Sequence, residues 1–402
     1  MRILFLNHNV ARKGGTFFRA YHLARYLVRA GHSVTLLSIS ADHRVGFTRD
    51  NSEGVEIVLT PDLLWGVGRT GWDPFDTLSR VAYLYGESWD IVHAWDCRPV
   101  VILPALYARH CSRHHGGKLV IDWCDWWGRG GTQAERPGRL ARTLYGPVET
   151  FFEESFRMQA DGTTVAGRAL RDRAIQLGVP SASIMLLPGG SDTEAVHPVP
   201  GPDARSQLKM DPGEWVVGYL GALPAREVGL LVEALVLARG AIPKLRFLAI
   251  GVSIAGSALS LRGEVGTHWG DWITDTGRVP FDQIGLYLSA CDAVILPMRR
   301  NLSNSARWPS KINDYMAAGR PIVATRVGEV ELLLQRGIGV AVDDNPRSLA
   351  DGLIQLQQCP AEAQEWGARG WALAEGELNW SRITAALEEF YDRVHAGSLV
   401  GA

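Results

Sequence analysis

A lysine stands where a helix begins in the stretch "PSKINDYMAAG", residues 309–319. The pattern predicts a helix whose first turn contains Ser310 and Lys311, with Asp314 three residues later. The N-terminus of a helix carries partial positive charge, so a cation there is unfavourable unless an anion lies between the two. The backbone N–H groups at a helix N-terminus also bind phosphate groups readily. We therefore expect a phosphate-bearing ligand beside Ser310 and Lys311.

Two adjacent glycines, Gly14 and Gly15, lie between the apolar run "RILFLN" (2–7) and a predicted helix. Either they form a plain turn, or they bring the backbone close to the phosphates or the sugar of a ligand, which only glycine permits sterically. The surrounding "NHNVARKGGTFFR" lacks the GxGxxG pattern, which argues against a dinucleotide site. Arg19, one helical turn further, either reaches the same ligand or faces solvent.

The composition of the 402-residue chain is that of a soluble globular protein, with 46% hydrophobic and 21% charged residues. A formal net charge of −2 gives no reason to expect a nucleic-acid partner, because phosphate backbones select basic surfaces. No apolar run approaches the roughly 18 residues of a membrane span, and the N-terminus lacks the pattern of a signal peptide. The five cysteines are scattered, which fits a reducing compartment. We therefore expect a cytoplasmic protein.

Short apolar runs alternate with helical patterns along the chain. This alternation predicts right-handed strand–helix–strand units and parallel sheets covered on both faces. The first half contains a predicted helix at 17–31 and predicted strands at 2–7, 32–39, 89–95, 118–124, 160–167 and 183–190. The second half contains predicted strands at 214–221, 245–251, 265–272, 292–298, 320–328 and 339–343.

A change of composition divides these two halves. The stretch "VHPVPGPDARSQ" (196–207) holds three prolines and is typical of a linker. We therefore predict two tandem doubly wound α/β domains, residues 1–195 and 196–380, and a last helix, 381–397, that packs back on the first domain. Ligands of open parallel sheets bind outside the carboxyl ends of the strands, so we expect a binding cleft between the domains.

Several motifs, in order, resemble those of the GT-B glycosyltransferases, and most of all the family-4 group of retaining enzymes. In the first half, "GGTFFRAYHLARYLVRAGHSVTLLS", "WDIVHAW" and "IMLLPGGSDTEAVHP", with its P-x-G-x-D turn, resemble the family's markers. In the second half, "VVGYLGALPAREVGLLVEAL", "GRVPFDQIGLYLSACDAVILP" and "PSKINDYMAAGRPIVATRVGEVELL" resemble the donor-binding core. The likeness extends over most of the chain.

The resemblance implies a two-domain GT-B fold and transfer of a sugar from a nucleoside-diphosphate sugar to a hydroxyl group, with retention at the anomeric carbon. It implies that the second domain binds the donor, with UDP favoured, and that the first binds the acceptor, such as a glycan, a glycolipid or a natural product. Members of the group need no metal or other cofactor, and the leaving phosphate helps to deprotonate the acceptor. The protein then mainly positions the reactants and stabilises the charge on the diphosphate.

The resemblance also assigns donor contacts. The loop "GRVPF" (277–281) resembles the family's nucleobase loop, with contacts from Arg278 and Val279. Asp314 stands where the family has a Glu that bonds the ribose hydroxyls; the alternative is an i,i+3 ion pair with Lys311. The preceding loop carries no acidic residue to contact the donor sugar, which leaves as candidates Asn301, Asn304, Ser305 and Ser310.

The sequence departs from the family where the diphosphate should bind. Family members carry an Arg just past the strand "VVGYLG" and a Lys several residues later. Here Ala222 replaces the Arg, and the place of the Lys falls on Glu227 or Val228. Arg226 is the nearest cation. Either Arg226 and Lys311 substitute for the missing clamp, or the donor is unusual, or catalysis is impaired.

The strand end "VIDWCDWWG" (120–128) resembles the place where the family puts an acidic residue or a His beside the acceptor. Asp125 lies past the strand and is the better candidate for activating or orienting the acceptor hydroxyl. Strand parity predicts that Asp122 and Asp125 diverge. The alternative is that either carboxylate caps the following turn.

Aromatic residues and a histidine near this strand end are further candidates. Trp123, Trp126 and Trp127 either stack on the acceptor or belong to the core. His93, in "DIVHAWD", is a catalytic candidate by its family position, although a lone strand histidine is more often a hydrogen-bonded core residue. Arg19 is a candidate acceptor contact.

The stretch "ARHCSRHHGGK" (108–118) carries Arg109, Arg113 and Lys118. These cations either meet anionic lipid head groups in a peripheral membrane contact or form a solvated helix face. Two further functions stay open: a sugar-nucleotide epimerase or phosphorylase of the same fold, and a non-catalytic GT-B binding subunit. The altered clamp at Ala222 and Glu227 keeps the second of these open. The sequence leaves the oligomeric state undetermined.

Overall fold

The computed structural model describes residues 1–42, 45–63, 70–111, 117–135, 138–255 and 270–398. The chain forms two compact units. The first unit comprises Met1–Pro188, Ala306–Trp308 and the chain from Trp380, and the second comprises Gly189–Ser305 and Pro309–Asn379. The chain leaves the first unit a few residues before the expected boundary at 195, since the backbone N–H of Ser191 already donates to the Leu378 carbonyl (2.7 Å) of the second unit.

The described part of the first unit contains an eight-stranded sheet. Its strands are β1 (Arg2–Val10), β2 (Ser33–Ile39), β3 (Thr48–Ser52), β4 (Val55–Thr60), β5 (Ile91–Trp95), β6 (Lys118–Trp123), β7 (Gly162–Val165) and β8 (Ile184–Leu186). Their order is β3-β4-β2-β1-β5-β6-β7-β8. All five residues of β5 are buried, as expected for a strand covered on both faces.

One edge of this sheet departs from the parallel arrangement that the sequence predicts. β3 pairs antiparallel with β4, and the two central residues of the connecting turn, Glu53 and Gly54, have φ values of 50° and 82°. Positive φ at both positions gives a tight hairpin whose twist matches that of its strands. The sequence of β3, TRDNS, is polar and half exposed, so it lacks the apolar run that identifies the other strands.

Helices connect the strands of the first unit. They are α1 (Gly15–Arg29), α2 (Pro74–Tyr83), α3 (Pro99–Cys111), α4 (Thr132–Glu135), α5 (Arg139–Ser155) and α6 (Arg168–Gln176), with single 3-10 turns at Arg157–Gln159 and Ser181–Ser183. Helix α1 buries Phe17, Ala20, Leu23 and Leu27 against the sheet, which is the apolar face that helical spacing predicts.

The described part of the second unit contains a six-stranded parallel sheet. Its strands are β9 (Trp215–Pro224), β10 (Leu245–Ala255), β11 (Ile273–Asp275), β12 (Ala293–Leu296), β13 (Ile322–Thr325) and β14 (Gly339–Val342). Their order is β11-β10-β9-β12-β13-β14. The strand predicted at 265–272 lies mostly outside the described residues, and β11 begins just after it.

Helices cover this second sheet. They are α7 (Gly201–Gln207), α8 (Ala225–Ala241), α9 (Ile284–Ser289), α10 (Leu302–Ala306), α11 (Lys311–Ala317), α12 (Gly328–Leu334), α13 (Pro346–Gln358) and α14 (Pro360–Glu375), with a 3-10 turn at Phe281–Gln283. The proline-rich stretch predicted as a linker is helical from Gly201 onward, because Pro202 falls in the first turn of α7, where its missing N–H costs nothing.

The last helix, α15 (Trp380–His395), belongs to the first unit. The ring of Trp380 stacks on that of His22 in α1, with centroids 5.3 Å apart. Phe390 is buried, and a Cβ added at Gly162 of β7 would lie only 2.8 Å from the end of its ring. The helix therefore fills part of the core of the first unit.

We expect Phe390→Ala to lower the free energy of unfolding of the first unit by about 3–5 kcal/mol, the usual cost of emptying a buried aromatic site. Denaturant unfolding measures this change. Phe281→Ala is the control, because Phe281 is 46% exposed in the second unit and its loss should cost less than about 1 kcal/mol. Equal destabilisation by both variants would contradict the burial of α15.

Candidate functional site

The ammonium group of Lys311 lies at the carboxyl end of β9 in the second unit. Its Nζ donates hydrogen bonds to the carbonyl oxygen of Ala222 (2.7 Å) and to the hydroxyl of Tyr219 (2.6 Å). The same atom lies 4.0 Å from the centroid of the Tyr219 ring, within reach of a cation–π interaction. Lys311 therefore places a positive charge at a strand end, where open parallel sheets bind ligands.

These contacts explain why a lysine is tolerated at the start of α11. Helix α11 has only seven residues, and Ser310 before it is exposed and makes no side-chain capping bond. The carbonyl of Ala222 and the hydroxyl and ring of Tyr219 give the ammonium negative partners within the protein. Lys311 therefore has partners within the protein that offset the helix dipole, and the phosphate ligand beside it stays a prediction.

Asp314, within α11, has an unusual protonation equilibrium. Burial raises the pKa of its carboxyl group to about 7; the charge of Asp192 acts in the same direction, and that of Lys311 acts against both. Asp192 is itself buried, and its Oδ1 accepts a hydrogen bond from the backbone N–H of Ala195 (3.3 Å). Near neutral pH, Asp314 therefore exists both as a hydrogen-bond donor and as a pure acceptor. Its ribose contact stays a prediction.

Arg226 belongs to a network at the first turn of α8. Its Nη2 donates to Oδ1 of Asn304 (3.1 Å), and the Asn304 amide nitrogen donates to Oε1 of Glu227 (2.9 Å). Asn304 and Glu227 are 0% and 1% exposed, whereas a third of the Arg226 side chain (33%) is accessible. Asn304 therefore orients Arg226. It does not make the donor-sugar contact that the sequence had suggested, because its amide is hydrogen-bonded inside the protein.

The neighbouring candidates for sugar contacts act within α10. The hydroxyl of Ser305 donates to the carbonyl oxygen of Asn301 (2.9 Å). The side chain of Asn301 accepts a hydrogen bond from the backbone N–H of Asn304 (2.8 Å). Both interactions satisfy groups at the start of a helix. Contact of these side chains with a donor sugar stays a prediction.

Arg278 and Val279 lie in the loop after β11, beside β10. Arg278 is exposed and Val279 is half-buried. The loop approaches β10 at Gly251, where an added Cβ would lie 3.7 Å from the Gly277 carbonyl oxygen and 3.9 Å from the backbone nitrogen of Val279. Gly251 and Gly277 have φ values of 60° and 61°, which glycine adopts without strain. The contact of this loop with a nucleobase stays a prediction.

Gly14 and Gly15 precede α1 in the first unit, and both are exposed. Gly14 has a φ of 83°, and a Cβ there would lie 3.0 Å from the side chain of Asn9, so this position requires glycine. Oδ1 of Asn9 accepts a hydrogen bond from the backbone N–H of Phe17 (3.0 Å). Asn9 therefore shapes the glycine loop, a role for which an asparagine inside a strand pattern gives no sequence signal.

The two carboxylates at the end of β6 diverge, as strand parity predicts. Asp122 is buried and accepts hydrogen bonds from the hydroxyl of Thr164 (2.6 Å) and from Arg19 (3.3 Å). Asp125 is an exposed residue, but burial of its carboxyl group raises the pKa of that group, and the guanidinium of Arg307 opposes this rise. Asp125 therefore remains available to a ligand, whereas Asp122 is committed to the interior.

The loop that carries Asp125 adjoins the start of α1. The Cys124 sulfur lies 3.7 Å from Oδ2 of Asp125 and 3.6 Å from the hydroxyl oxygen of Thr16. Thr16 follows Gly15 directly. The structure thus brings together, within the first unit, the glycine loop and the carboxylate that the sequence singled out separately.

Arg19 does not present its guanidinium to solvent. The residue is buried and donates hydrogen bonds to the carbonyl oxygens of Pro188 (2.9 Å) and Leu187 and to Asp122. Burial of a guanidinium is costly unless hydrogen bonds and an opposite charge compensate it, and these acceptors do so for the two Nη groups. Arg19 therefore joins α1 to the segment after β8 and is not placed to make the acceptor contact that the sequence suggested.

His93 is a core residue, not the catalytic residue that the sequence suggested. It is completely buried, and its two ring nitrogens lie 2.6 Å from the hydroxyl of Tyr391 and 3.2 Å from that of Thr164. Burial, together with the charge of Arg19, lowers the pKa of His93 well below its ordinary value. The imidazole is therefore neutral and has hydrogen-bond partners for both nitrogens.

The three tryptophans after β6 differ in accessibility. Trp123 and Trp127 are 2% and 4% exposed, and the guanidinium of Arg157 lies 3.7 Å over the Trp123 ring. Trp126 is half-buried and donates its indole N–H to the carbonyl oxygen of Arg129 (2.9 Å). Trp123 and Trp127 are therefore core residues, and of the three only Trp126 keeps surface for stacking on an acceptor.

A polar cluster absent from the sequence predictions lies at the carboxyl ends of β1 and β5. Asp96 is buried, with a φ of 138°, which non-glycine residues rarely adopt. Its carboxylate lies 3.4 Å from Nδ1 of His8 and 3.5 Å from Nε of Arg98. Burial and the charge of Arg98 lower the pKa of His8 to about 3, against the pull of Asp96. Strained backbone of this kind is concentrated at functional sites.

The described residues contain no group of three His, Cys, Asp or Glu side chains placed to hold a metal ion. Independence from metals stays a prediction. Within the same described ranges, no helix is both long enough and apolar enough to cross a membrane.

Two family models match most of the chain. Residues 14–190 match "Glycosyl transferase 4-like domain", and residues 214–359 match "Glycosyl transferases group 1". The structure of sucrose-phosphate synthase from Thermosynechococcus elongatus superposes with a TM-score of 0.77 at 20% identity, over 98% of this chain and 99% of that one. The chain belongs to the family-4-like glycosyltransferases of the GT-B fold. Anabaena HepE in complex with UDP-glucose is a further structure of this fold, with a TM-score of 0.69, 17% identity and coverage of 98% and 99%.

Two relatives of this GT-B chain match over 245 residues each. A D-inositol 3-phosphate glycosyltransferase of Segniliparus rotundus is 28% identical over 59% of this chain and 52% of its own. A GDP-mannose-dependent alpha-(1-6)-phosphatidylinositol monomannoside mannosyltransferase of Mycobacterium tuberculosis is 26% identical over 58% of this chain and 63% of its own. The match thus spans about half of the first relative and less than two thirds of the second.

The pKa of Asp314 predicts a pH-dependent stability for the second unit. Its folded-state pKa of about 7 lies above the ordinary value of 3.8, so the folded form binds the proton more tightly. The resulting stabilisation is fully present below pH 4 and is lost as the pH rises through 7, at up to about 1.4 kcal/mol per pH unit for one proton. We expect Asp314→Asn to flatten this dependence.

Thermal unfolding at pH 5 and pH 8 measures the effect. Relative to the wild type, Asp314→Asn should raise the midpoint more at pH 8 than at pH 5. Asp282→Asn, at an exposed position of the same unit, is the control and should leave the pH dependence unchanged. Wild-type behaviour of Asp314→Asn at both pH values would show that the pKa is not raised.

Proposed function

We propose that this chain transfers a sugar from a nucleoside-diphosphate sugar, with UDP favoured, to a hydroxyl group of an acceptor, with retention at the anomeric carbon. The observation that carries the proposal is the ammonium of Lys311 at the carbonyl of Ala222, 2.7 Å away. Ala222 occupies the position where the family resemblance expects an arginine. Lys311 therefore returns a positive charge to the place where the clamp is missing.

Arg226 supplies the second charge of the proposed clamp. It stands in the first turn of α8, directly after β9, and Asn304 holds its partly exposed guanidinium. Charge-assisted hydrogen bonds to a phosphate contribute about 1.5–3 kcal/mol each. Two cations at one strand end can thus stabilise the charge that builds on a leaving diphosphate.

Glu227 does not oppose this assignment. Its carboxylate is 1% exposed and accepts a hydrogen bond from Asn304 (2.9 Å). Its Oε1 also lies 3.8 Å from Nε of Arg226. The negative charge is therefore compensated inside the protein and is not presented to a bound diphosphate.

Asp125 is the residue that we assign to the acceptor hydroxyl, because it is exposed at the end of β6 beside the glycine loop. The acceptor class of the proposal is a glycan, a glycolipid or a natural product. The two relatives are named for D-inositol 3-phosphate and for a phosphatidylinositol monomannoside, so inositol phosphates belong in the panel of acceptors to be tested. Independence from metals and other cofactors is part of the proposal, and full turnover in EDTA tests it. Cytoplasmic residence is also part of the proposal.

We expect Lys311→Ala and Arg226→Ala each to weaken nucleotide binding by about 10- to 100-fold, the loss of one charge-assisted contact. Isothermal calorimetry with UDP, GDP and dTDP measures this. Uridine and guanosine nucleotides are both tested because HepE is solved with UDP-glucose and one relative is named for GDP-mannose. Lys244→Ala, at an exposed position before β10, is the matched control and should bind like the wild type.

Unchanged affinity and turnover in Lys311→Ala would disprove the donor assignment. A wild-type protein that binds none of the three nucleotides would point to the non-catalytic alternative. A donor-only NMR time course that shows isomerisation without any acceptor would point to the epimerase. The comparisons with known proteins give neither alternative support.

We also propose that α5 makes the peripheral membrane contact. The exposed residues of α5 and of the turn after it are largely apolar or aromatic: Leu140, Leu144, Tyr145, Pro147, Val148, Phe151 and Met158. Arg139 is exposed at the start of the helix, whereas Glu149 and Glu153 are buried. An apolar helix face with an exposed cation and inward-facing acids complements an anionic bilayer surface.

The described cations of the basic stretch 108–118, which first suggested a membrane contact, make contacts within the protein. Arg109 donates to the carbonyl oxygen of Gln159 and to Asp161 (3.1 Å), and Lys118 lies 4.0 Å from the same carboxylate. Arg113 lies outside the described residues. Because Asp161 already partners both described cations, α5 is the better-supported surface.

We expect the double variant Leu144→Asp with Phe151→Asp to bind vesicles at least about tenfold more weakly, because buried apolar area drives such binding. Co-sedimentation with vesicles of phosphatidylglycerol and phosphatidylcholine measures it, against vesicles of phosphatidylcholine alone. Leu78→Asp, at an exposed position of α2, is the control. Unchanged sedimentation would contradict the assignment, and a change of oligomeric state instead would assign the face to a second copy of the chain.

A further inference from the structure

Glu153, in α5, is a buried carboxylate that faces the loop after β6. Its exposure is 0%. Oε1 accepts hydrogen bonds from the backbone N–H of Trp127 (2.8 Å) and the indole N–H of Trp123 (3.1 Å), and Oε2 accepts one from the backbone N–H of Gly128 (2.7 Å). One carboxylate thus binds two backbone N–H groups of the 124–128 loop and the indole N–H of the last residue of β6, each in a charge-assisted hydrogen bond when the acid is ionised.

The close approach depends on a glycine. A Cβ added at Gly128 would lie 2.3 Å from Oε2 of Glu153 and 3.2 Å from Cα of Thr150. Both distances are shorter than a carbon atom can adopt there without displacing α5 or the loop. The absence of a side chain at Gly128 therefore lets the backbone amide reach the carboxylate.

Asp125 lies between two attachment points of this loop. The indole N–H of Trp123 is shared between Oε1 of Glu153 and the carbonyl oxygen of Asp125 (3.0 Å). The backbone of Trp127, two residues after Asp125, is bound to the same Oε1. The chain on either side of Asp125 is therefore tied to one buried group, while the Asp125 side chain stays exposed.

Arg157 supports the arrangement from behind. Its guanidinium is buried and stacks over the Trp123 ring at 3.7 Å, and its Nε donates to the backbone carbonyl of Glu153 (2.8 Å). The cation thus lies near the carboxylate and against the indole that the carboxylate binds. A desolvated pair of this kind keeps both groups in one geometry.

We propose that Glu153 is a positioning residue that fixes the conformation of the 124–128 loop and thereby the place of the Asp125 carboxylate. The proposal rests on the proposed function for the role of Asp125 toward an acceptor. The attachment of the loop to Glu153 holds whether or not the chain transfers a sugar. Its consequence is that the acceptor site has a rigid backbone supported from the interior.

Protonation of Glu153 weakens the attachment. Burial raises the pKa of its carboxyl group to about 7; the charge of Arg157 and the amides of Trp127 and Gly128 oppose this rise, and Asp96 adds to it. Cys97, which follows Asp96 after β5, is a further titratable group that interacts with Glu153. A neutral carboxyl accepts weaker hydrogen bonds than a carboxylate, so the loop becomes more firmly held as the pH rises through 7.

The indole resonance of Trp123 reports on this directly. In protein labelled with ¹⁵N-tryptophan, it should shift between pH 5.5 and 8.5 along a one-proton curve with its midpoint near 7, and Trp123→Phe assigns it. The curve should disappear in Glu153→Gln and persist in Glu149→Gln. Glu149 is the matched control because it is also buried and lies one helical turn earlier in α5.

Hydrogen exchange of the 124–128 loop at pH 8 gives a second readout. Exchange at Trp127 and Gly128 should be roughly 10- to 100-fold faster in Glu153→Gln, because the new amide group faces an N–H donor and one strong acceptor is lost. Glu153→Asp keeps both oxygens with a shorter reach and should restore part of the protection. Partial rescue by Asp separates the chemistry of the carboxylate from the volume of the side chain.

An indole of Trp123 that titrates alike in the wild type and Glu153→Gln would overturn the proposal, as would equal exchange in Glu153→Gln and Glu149→Gln. Circular dichroism and thermal unfolding of the same variants show whether each is folded, and calorimetry of the wild type with UDP tests the proposed function separately. A wild-type protein that binds no nucleotide would defeat the proposed function and leave the loop measurements valid. The two failures are therefore distinguishable.

Discussion

Burial of the strands on both faces confines the chemistry of this protein to the strand ends. A polar side chain inside such a strand must find its partners within the core, as His93 does with Tyr391 and Thr164. A side chain just past the strand is free of that requirement. The exposed Asp125 after β6 and the half-buried Lys311 beside the end of β9 are two candidates at such positions.

The positive charge at the end of β9 comes from a distant part of the sequence. Lys311 and Ala222 are 89 residues apart and meet through a 2.7 Å hydrogen bond. A cation missing from the local β9–α8 connection is thus replaced by one from another element. Glu227 is tolerated nearby because Asn304 and Arg226 surround its carboxylate. The positions of clamp residues along the chain therefore give an incomplete account of the charge at this strand end.

Much of the fold could be predicted, because buried parallel strands are apolar runs and the helices between them have regular spacing. β3 escaped prediction since its five residues are polar and its pairing depends on the turn at Glu53 and Gly54. Part of the site was also predictable. The exposure of Asp125, its divergence from Asp122 and the need for glycine at position 14 agree with strand parity and loop sterics.

The sequence by itself determined where strands and helices alternate, which residues follow the strand ends and which clamp cations are absent. The tertiary structure decided which polar groups are used internally. Arg19 is bound to carbonyls 168 and 169 residues away, and Glu153 binds a loop 25–30 residues before it. The physical reason is that hydrogen bonding and burial depend on neighbours in space, and spacing along the chain does not specify those neighbours for an arginine or a glutamate.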